Sequence, residues 1–352
     1  MLKHFNIINS RKGINPMKKY ISIALAIILM FSMNTLSACQ NNTESEETIS
    51  HENTLPADYT EIRVAVLNGT TGFGIAPLYC DIQNGIDHNM NAKIDFYADA
   101  TLVAPLVIGG SVDIAAVPTN LASVLYNKTQ GAVEVLAVNT LGVLYLIENG
   151  DSIKSLADLE GKTVYLPGSG SNPEYVLKTL LTLAGIADKV TFDYTYATPD
   201  ELTAALASGK ASLGVLPEPK VTAAMTKNAS LKVAIDFTKE WKALTGTDLV
   251  QGCIVARKAF VEEHPMAVEN FLKAYEKSVN TLNSDPEKAA SAVISAGIAA
   301  NEALVKNALP RCNITYLVGE DMEESLNEFW GALYNCTPAS IGGAIPDDKI
   351  FG

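Results

Sequence analysis

The 352-residue sequence has only five cysteines and four histidines. Cys80, Cys253, Cys312 and Cys336 lack the close-pair spacing of a zinc site, and His4, His51, His88 and His264 are scattered, so no metal or other cofactor is expected. Cationic residues are also few: 26 Lys and Arg stand against 39 Asp and Glu, a formal net charge of −13. A chain this acidic repels nucleic acid and anionic headgroups. The one long apolar run, Tyr20 to Phe31, is shorter than the roughly 20 residues of a membrane span. Ser, His and acidic residues show neither the spacing of a nucleophilic triad nor that of a paired-carboxylate site, which argues against an enzyme.

What is present begins with an address label. Met17-Lys18-Lys19, the apolar run and Leu36-Ser37-Ala38-Cys39 read as a secretory signal over residues 1–38. The signal resembles the lipoprotein type, in which Cys39 is lipid-modified and becomes the new N-terminus. Lys3, Arg11, Lys12, Lys18 and Lys19 leave with it, so the mature chain is five charges more acidic. Residues 39–58, rich in Asn, Glu, Ser and Thr, are predicted to be a disordered tether. Membrane association would then run through the lipid alone. In an exported protein Cys312 and Cys336 are compatible with a bridge and equally with two buried thiols.

The remainder alternates strand and helix, an α/β pattern. Strands are predicted at Ile62–Leu67, Ala92–Tyr97, Val112–Val117 and Val133–Val138. After a connecting segment at Gly142–Glu148 the alternation restarts, and from Arg257 onward the chain turns mostly helical. The stretch Gly161 to Tyr175 organises the second series. Thr163 to Leu166 is a buried strand, Pro167-Gly168-Ser169-Gly170-Ser171 a small polar turn, and Asn172 the predicted cap of a helix with Pro173 in its first turn. Such a turn aims unpaired N–H groups and the positive end of a helix dipole above the sheet edge. It is not a dinucleotide fingerprint, because Pro173 occupies the third glycine position, and no phosphate-loop lysine follows.

The two series also echo each other. Gly110-Ser111-Val112-Asp113-Ile114-Ala115-Ala116-Val117-Pro118 aligns with Gly209-Lys210-Ala211-Ser212-Leu213-Gly214-Val215-Leu216-Pro217, each a glycine turn, an apolar strand and a proline. This argues for two like lobes facing across a cleft.

The lipoprotein signal, Asn68-Gly69-Thr70-Thr71-Gly72-Phe73-Gly74 after the first strand, Asp158-Leu159-Glu160-Gly161-Lys162 before the glycine turn, and Leu216-Pro217-Glu218-Pro219 together resemble extracytoplasmic solute-binding proteins of ABC importers. The similar branch groups nitrate, taurine and alkanesulfonate binders with binders of thiamine-pyrimidine precursors. The resemblance implies a type II periplasmic-binding-protein fold: lobe 1 from residues 59–147 and 250–352, lobe 2 from residues 148–249, and a two-segment hinge near Gly142 and Gly252. It implies a small-molecule ligand, an ABC permease and ATPase as partners, and a monomer held outside the cytoplasm by its lipid. Ligand would lie between Asn68, Thr70, Thr71, Gly72, Phe73, Thr119, Asn120, Leu141, Gly142 and Gln251 on one side, and Ser169, Gly170, Ser171, Asn172 and Glu218 on the other. An open Glu218 carboxylate would favour a ligand with hydrogen-bond donors, such as a vitamin-like nitrogen heterocycle, over a small oxyanion. Two enzyme relatives share the fold. A menaquinone-pathway enzyme would work in the cytoplasm, and the eukaryotic thiamine-pyrimidine synthase carries a cysteine-rich motif that is missing here. A ligand-sensing surface receptor domain is a further alternative.

Overall fold

Eleven strands form within the described residues, 56–352, of the computed structural model, and they sort into two sheets. The signal peptide, Cys39 and nearly all of the expected tether lie outside those residues. The strands are β1 Asp58–Leu67, β2 Met90–Tyr97, β3 Ile114–Pro118, β4 Val133–Leu141, β5 Leu144–Asn149, β6 Thr163–Tyr165, β7 Thr191–Asp193, β8 Leu213–Pro217, β9 Leu231–Asp236, β10 Val250–Arg257 and β11 Ile314–Leu317.

The first sheet runs β11-β4-β10-β3-β1-β2 and the second β7-β6-β8-β5-β9. In both, three parallel strands are followed by one antiparallel strand, β10 or β5. That antiparallel strand is the one entered directly after the chain has crossed from the other half. β5 falls inside the segment expected only to connect the lobes. Its pairing of Leu144 with Pro217 and Tyr145 with Leu216 puts residues 144–147 in the second sheet, so the first crossing is two residues long and lies ahead of the expected boundary at 147. The Gly142–Glu148 segment hides this strand because β5 is buried on both faces and so lacks the alternation that marks a half-exposed strand.

The sequence echo has a matching local geometry. Gly110 and Gly209 adopt φ of 69° and 74°, a conformation that a side chain disfavours. Around them Ser111 N–H donates to Leu106 O at 2.8 Å and Lys210 N–H to Ala205 O at 2.9 Å, the same helix-ending bond at the same offset. Both turns feed a middle strand of their sheet, β3 in the first and β8 in the second.

Strand periodicity partitions the core. Ile62, Val64 and Val66 of β1 face helices Pro265–Ser284 and Pro286–Ser295, whereas Ala65 and Leu67 face the opposite layer. In β5 Tyr145 and Ile147 join helices Pro199–Ala207 and Lys220–Lys227, and Leu144 and Leu146 turn the other way. The inward layers of the two halves merge into one cluster through helix Glu320–Cys336. Its Phe329 lies 5.4 Å from Trp241 of the second half, and its Trp330 stacks on Phe351. Both tryptophans are fully buried, and truncating either to Ala would cost about 3–5 kcal/mol.

No helix of the described residues is long and apolar enough to cross a membrane. The mostly helical tail is as expected from residue 257 onward, interrupted by β11, a short edge strand paired with β4.

Candidate functional site

The two crossings bring the strand ends of both sheets to one place. Leu141 pairs with Val250, Gly252 with Pro118, Leu144 with Pro217 and Tyr145 with Asp236. Between Leu141 and Leu144 only Gly142 and Val143 remain, and neighbours from both halves bond to their backbone. Val143 N–H donates to Gln251 Oε1 at 3.2 Å, and Glu218 N–H donates to Val143 O at 3.0 Å. Asn313 Nδ2 donates to Gly142 O at 2.5 Å. Leu141, Gly142, Gln251 and Glu218 therefore do meet at the crossing.

The two crossing glycines are required for close approach and not for an unusual φ. A Cβ on Gly142 would land on the Thr238 hydroxyl, with Thr238 Cβ at 3.0 Å and Leu249 Cδ2 at 3.1 Å. A Cβ on Gly252 would sit 2.5 Å from Asn139 Oδ1 and 3.0 Å from Thr140 Cβ. Neither glycine has the positive φ that would exclude a side chain by itself.

On the first-half side Asn68 is exposed at the end of β1, with its N–H bonded to Tyr97 O at 2.8 Å. Gly69 opens the short helix Thr70–Phe73, in which Thr71 O accepts from Asn139 Nδ2 at 3.3 Å. Thr70, Gly72 and Phe73 are buried, and Phe73 is fully enclosed among first-half core residues, so it packs the core and is not a stacking platform. Thr119 is likewise committed internally. Its hydroxyl donates to Val250 O at 2.7 Å, and its carbonyl accepts from Trp330 Nε1 at 2.9 Å, which pins helix Thr119–Lys128 to β10 and to helix Glu320–Cys336. Asn120 Nδ2 donates to Ser340 O at 3.2 Å.

On the second-half side Ser169 and Gly170 are exposed in the glycine turn, and Ser171 Oγ donates to Gly168 O at 2.9 Å. Helix Asn172–Leu183 starts one residue earlier than a capping Asn172 would require, and Ser171 holds the cap position without a side-chain bond. Glu174 in the first helical turn takes the Gly170 N–H at 2.6 Å, so a carboxylate of the chain itself already uses one of the turn's donors. Burial, followed by a hydrogen bond to Glu174, pushes the Tyr194 hydroxyl up to about 12.

Glu218 departs most from its sequence reading. Its side chain is fully buried and ion-paired, with Arg311 Nε 2.5 Å from Oε1. Thr222 N–H and Oγ1 donate to the same carboxylate at 3.1 and 2.9 Å, and the Thr222 hydroxyl accepts from Arg311 Nη2 at 2.6 Å. Glu218 thus offers no open charge to a ligand, and Arg311, which is not among the sequence-predicted site residues, reaches the crossing. Nothing local signals this meeting, because 93 residues separate the partners.

Several polar atoms at the crossing are buried without a partner: Gln251 Nε2, Thr238 Oγ1 and, in the glycine turn, Asn172 Oδ1. Thr238 and Asn139 are additions to the sequence-derived set. Asp236 caps helix Phe237–Thr245 by accepting from Thr238 N–H at 3.0 Å, and an Asp before a helical run is a legible start signal. Among the described residues no His, Cys, Asp and Glu group could hold a metal. Cys312 and Cys336 are both free thiols, Cys312 donating to Ala308 O and Cys336 lying 3.3 Å from Thr182 Oγ1.

A family model described as NMT1/THI5 like matches residues 73–289, which run from the end of the first short helix well into the C-terminal helices. The chain belongs to the NMT1/THI5-like family. Sequence comparison with curated proteins finds no match. Among solved structures, an ABC transporter protein from Parabacteroides distasonis is 25% identical to this NMT1/THI5-like chain, with a TM-score of 0.70 over 83% of this chain and 99% of the other. The periplasmic aliphatic sulphonate binding protein SsuA from Escherichia coli is 16% identical, with a TM-score of 0.63 over 78% and 87%. A conserved Candida albicans gene product, described as having the generic periplasmic binding protein fold, is 13% identical, with a TM-score of 0.55 over 83% and 93%. The two-sheet architecture of this NMT1/THI5-like chain is the periplasmic-binding-protein fold.

Proposed function

We propose that this NMT1/THI5-like protein is an extracytoplasmic solute-binding protein that captures a small molecule between its two halves and hands it to the permease and ATPase of an ABC importer. The observation that carries the reading is the convergence of both sheets' strand ends on the two crossings, where Gln251 Nε2 and Thr238 Oγ1 are buried without partners. Open α/β sheets bind ligands at such strand ends, and buried polar atoms call for a partner. The fold shared with the Parabacteroides ABC transporter protein supports the same conclusion. The chain binds its ligand and does not transform it. It is lipid-anchored through Cys39 and acts as a monomer.

The favoured ligand is a small nitrogen heterocycle of the thiamine-pyrimidine-precursor kind. Glu218 is neutralised, but Glu174 places a carboxylate on the glycine turn and occupies its Gly170 N–H, which disfavours an anion there. Amide and hydroxyl groups of Gln251, Thr238 and Asn172 match a ring bearing both donors and acceptors. A small oxyanion such as taurine or another sulfonate is the second reading, favoured by the neutralisation of Glu218. Mass spectrometry of the co-purified ligand, followed by calorimetry with an aminopyrimidine and with taurine, tests both. Failure to retain or bind any small molecule would refute the solute-binding reading, and tight taurine binding without aminopyrimidine binding would reverse the ligand choice.

A further inference from the structure

The Glu218–Arg311 pair joins elements that belong to different halves. Glu218 follows β8, and Thr222 lies in helix Lys220–Lys227, both part of the second half. Arg311 is carried by helix Glu302–Cys312, whose Val305, Ala308 and Cys312 are buried in the first-half core. Other ion pairs, such as Arg63–Asp113–Arg257 and Lys220–Asp200, stay within one half.

The pair is also built for a single geometry. The Thr222 hydroxyl donates to Glu218 Oε1 and accepts from Arg311 Nη2, while Arg311 Nε reaches Oε1 directly, which closes a three-membered ring. Next to it the Arg311 carbonyl accepts from Tyr145 OH at 3.0 Å, and Asn313 holds Gly142 O, so the end of the helix is tied to the crossing itself. Any rotation of the halves about residues 142–143 that parts helices 220–227 and 302–312 must break the ring and leave the carboxylate without its counter-charge. Beside it the two helices border a groove of about 310 Å³ lined by Lys220, Ala223 and Leu304 among others.

We infer that Arg311 is a positioning residue: through Glu218 and Thr222 it clasps the two halves together and so sets how far they open and how long a captured ligand is retained. The retention part rests on the solute-binding reading, and the opening part does not. The test compares the ligand-free parent with Arg311→Gln, Glu218→Gln and the double variant by solution X-ray scattering and by hydrogen exchange at the Thr222 amide. Each variant is expected to have a larger radius of gyration and faster Thr222 exchange at unchanged secondary structure, and the double variant is expected to match the singles because one ring is lost in each. Thr222→Val keeps both charges and removes only the bridging hydroxyl, so it reports on the clasp if a charge variant folds poorly. It is expected to open the protein partly. Unchanged scattering and unchanged Thr222 exchange in these variants, even with a lowered melting temperature, would overturn the clasp and leave a merely structural pair. With a hydroxymethyl-aminopyrimidine or taurine as probe, loss of the clasp should speed release about tenfold. If neither probe binds the parent while the scattering still shifts, the ligand reading fails and the clasp stands.

Discussion

Replacing Gly142 with Ala asks how tightly the first crossing is packed. The added methyl would overlap the Thr238 hydroxyl and lie 3.0 Å from Thr238 Cβ and 3.1 Å from Leu249 Cδ2. Turning the hydroxyl aside does not clear the site, because Cβ itself is too close and Leu249 is fully buried. Overpacking of this kind costs about 1–3 kcal/mol. Thr238 Oγ1 has no hydrogen-bond partner, so Thr238→Ala alone forfeits no bond and should stay within roughly 0.5 kcal/mol of the parent. The double variant Gly142→Ala/Thr238→Ala removes the worst overlap but keeps the contact to Leu249. About half of the Gly142→Ala penalty should return, a coupling of about 1 kcal/mol. Urea unfolding of the four proteins gives the cycle. A Gly142→Ala variant as stable as its parent, or a double variant whose loss is the plain sum of the singles, would refute the packing argument and return Gly142 to a purely conformational role.

Asp113 tests the electrostatics of the first half. Burial raises its pKa, but hydrogen bonds from Arg63 and Arg257 outweigh burial and hold it below the ordinary carboxylate value. The folded value lies below the unfolded one, so its contribution is complete above about pH 4 and is lost as pH falls from there through the folded pKa. Asp113→Asn should therefore cost about 2–3 kcal/mol near pH 7 and flatten the acid limb of the stability profile, read by denaturation at several pH values; an unchanged acid limb would exclude this role. Thr119→Val removes the bond to Val250 O and is expected to destabilise by about 1 kcal/mol without altering ligand affinity, since that hydroxyl is already used inside the fold. Calorimetry showing a large affinity loss in this variant would return Thr119 to the ligand. Cys39→Ala is expected to release the protein from the membrane fraction or leave a longer precursor, whereas unchanged mass and retention would rule out the lipid anchor. A saturating ligand at a hundred times its dissociation constant should raise stability by about 2.7 kcal/mol and shrink the radius of gyration. Stabilisation without compaction would count against closure of the halves.

Much of the architecture is written locally. Alternation along β1, the glycine turns at Gly110 and Gly209 and the prolines after β3 and β8 depend on neighbouring residues alone, so periodicity and backbone preference determine them before any long-range contact forms. The duplicated order of the two sheets and the α/β class follow from that same pattern, as do the carboxyl ends of the strands as the place where the halves meet. What folding alone decided is which side chains remain available there. Phe73 and Thr119 stand where a binding loop would offer them, yet one is absorbed by the core and the other by Val250 and Trp330. β5 carries no alternation because it is buried on both faces. Glu218 shows the limit most sharply: its residue type and position are plain in the sequence, but its charge is settled by Arg311, 93 residues away, which only the packing of helix Glu302–Cys312 against helix Lys220–Lys227 brings within 2.5 Å. Local preferences fix where a side chain starts, whereas burial and pairing across the fold fix what charge and which hydrogen-bonding groups it still presents.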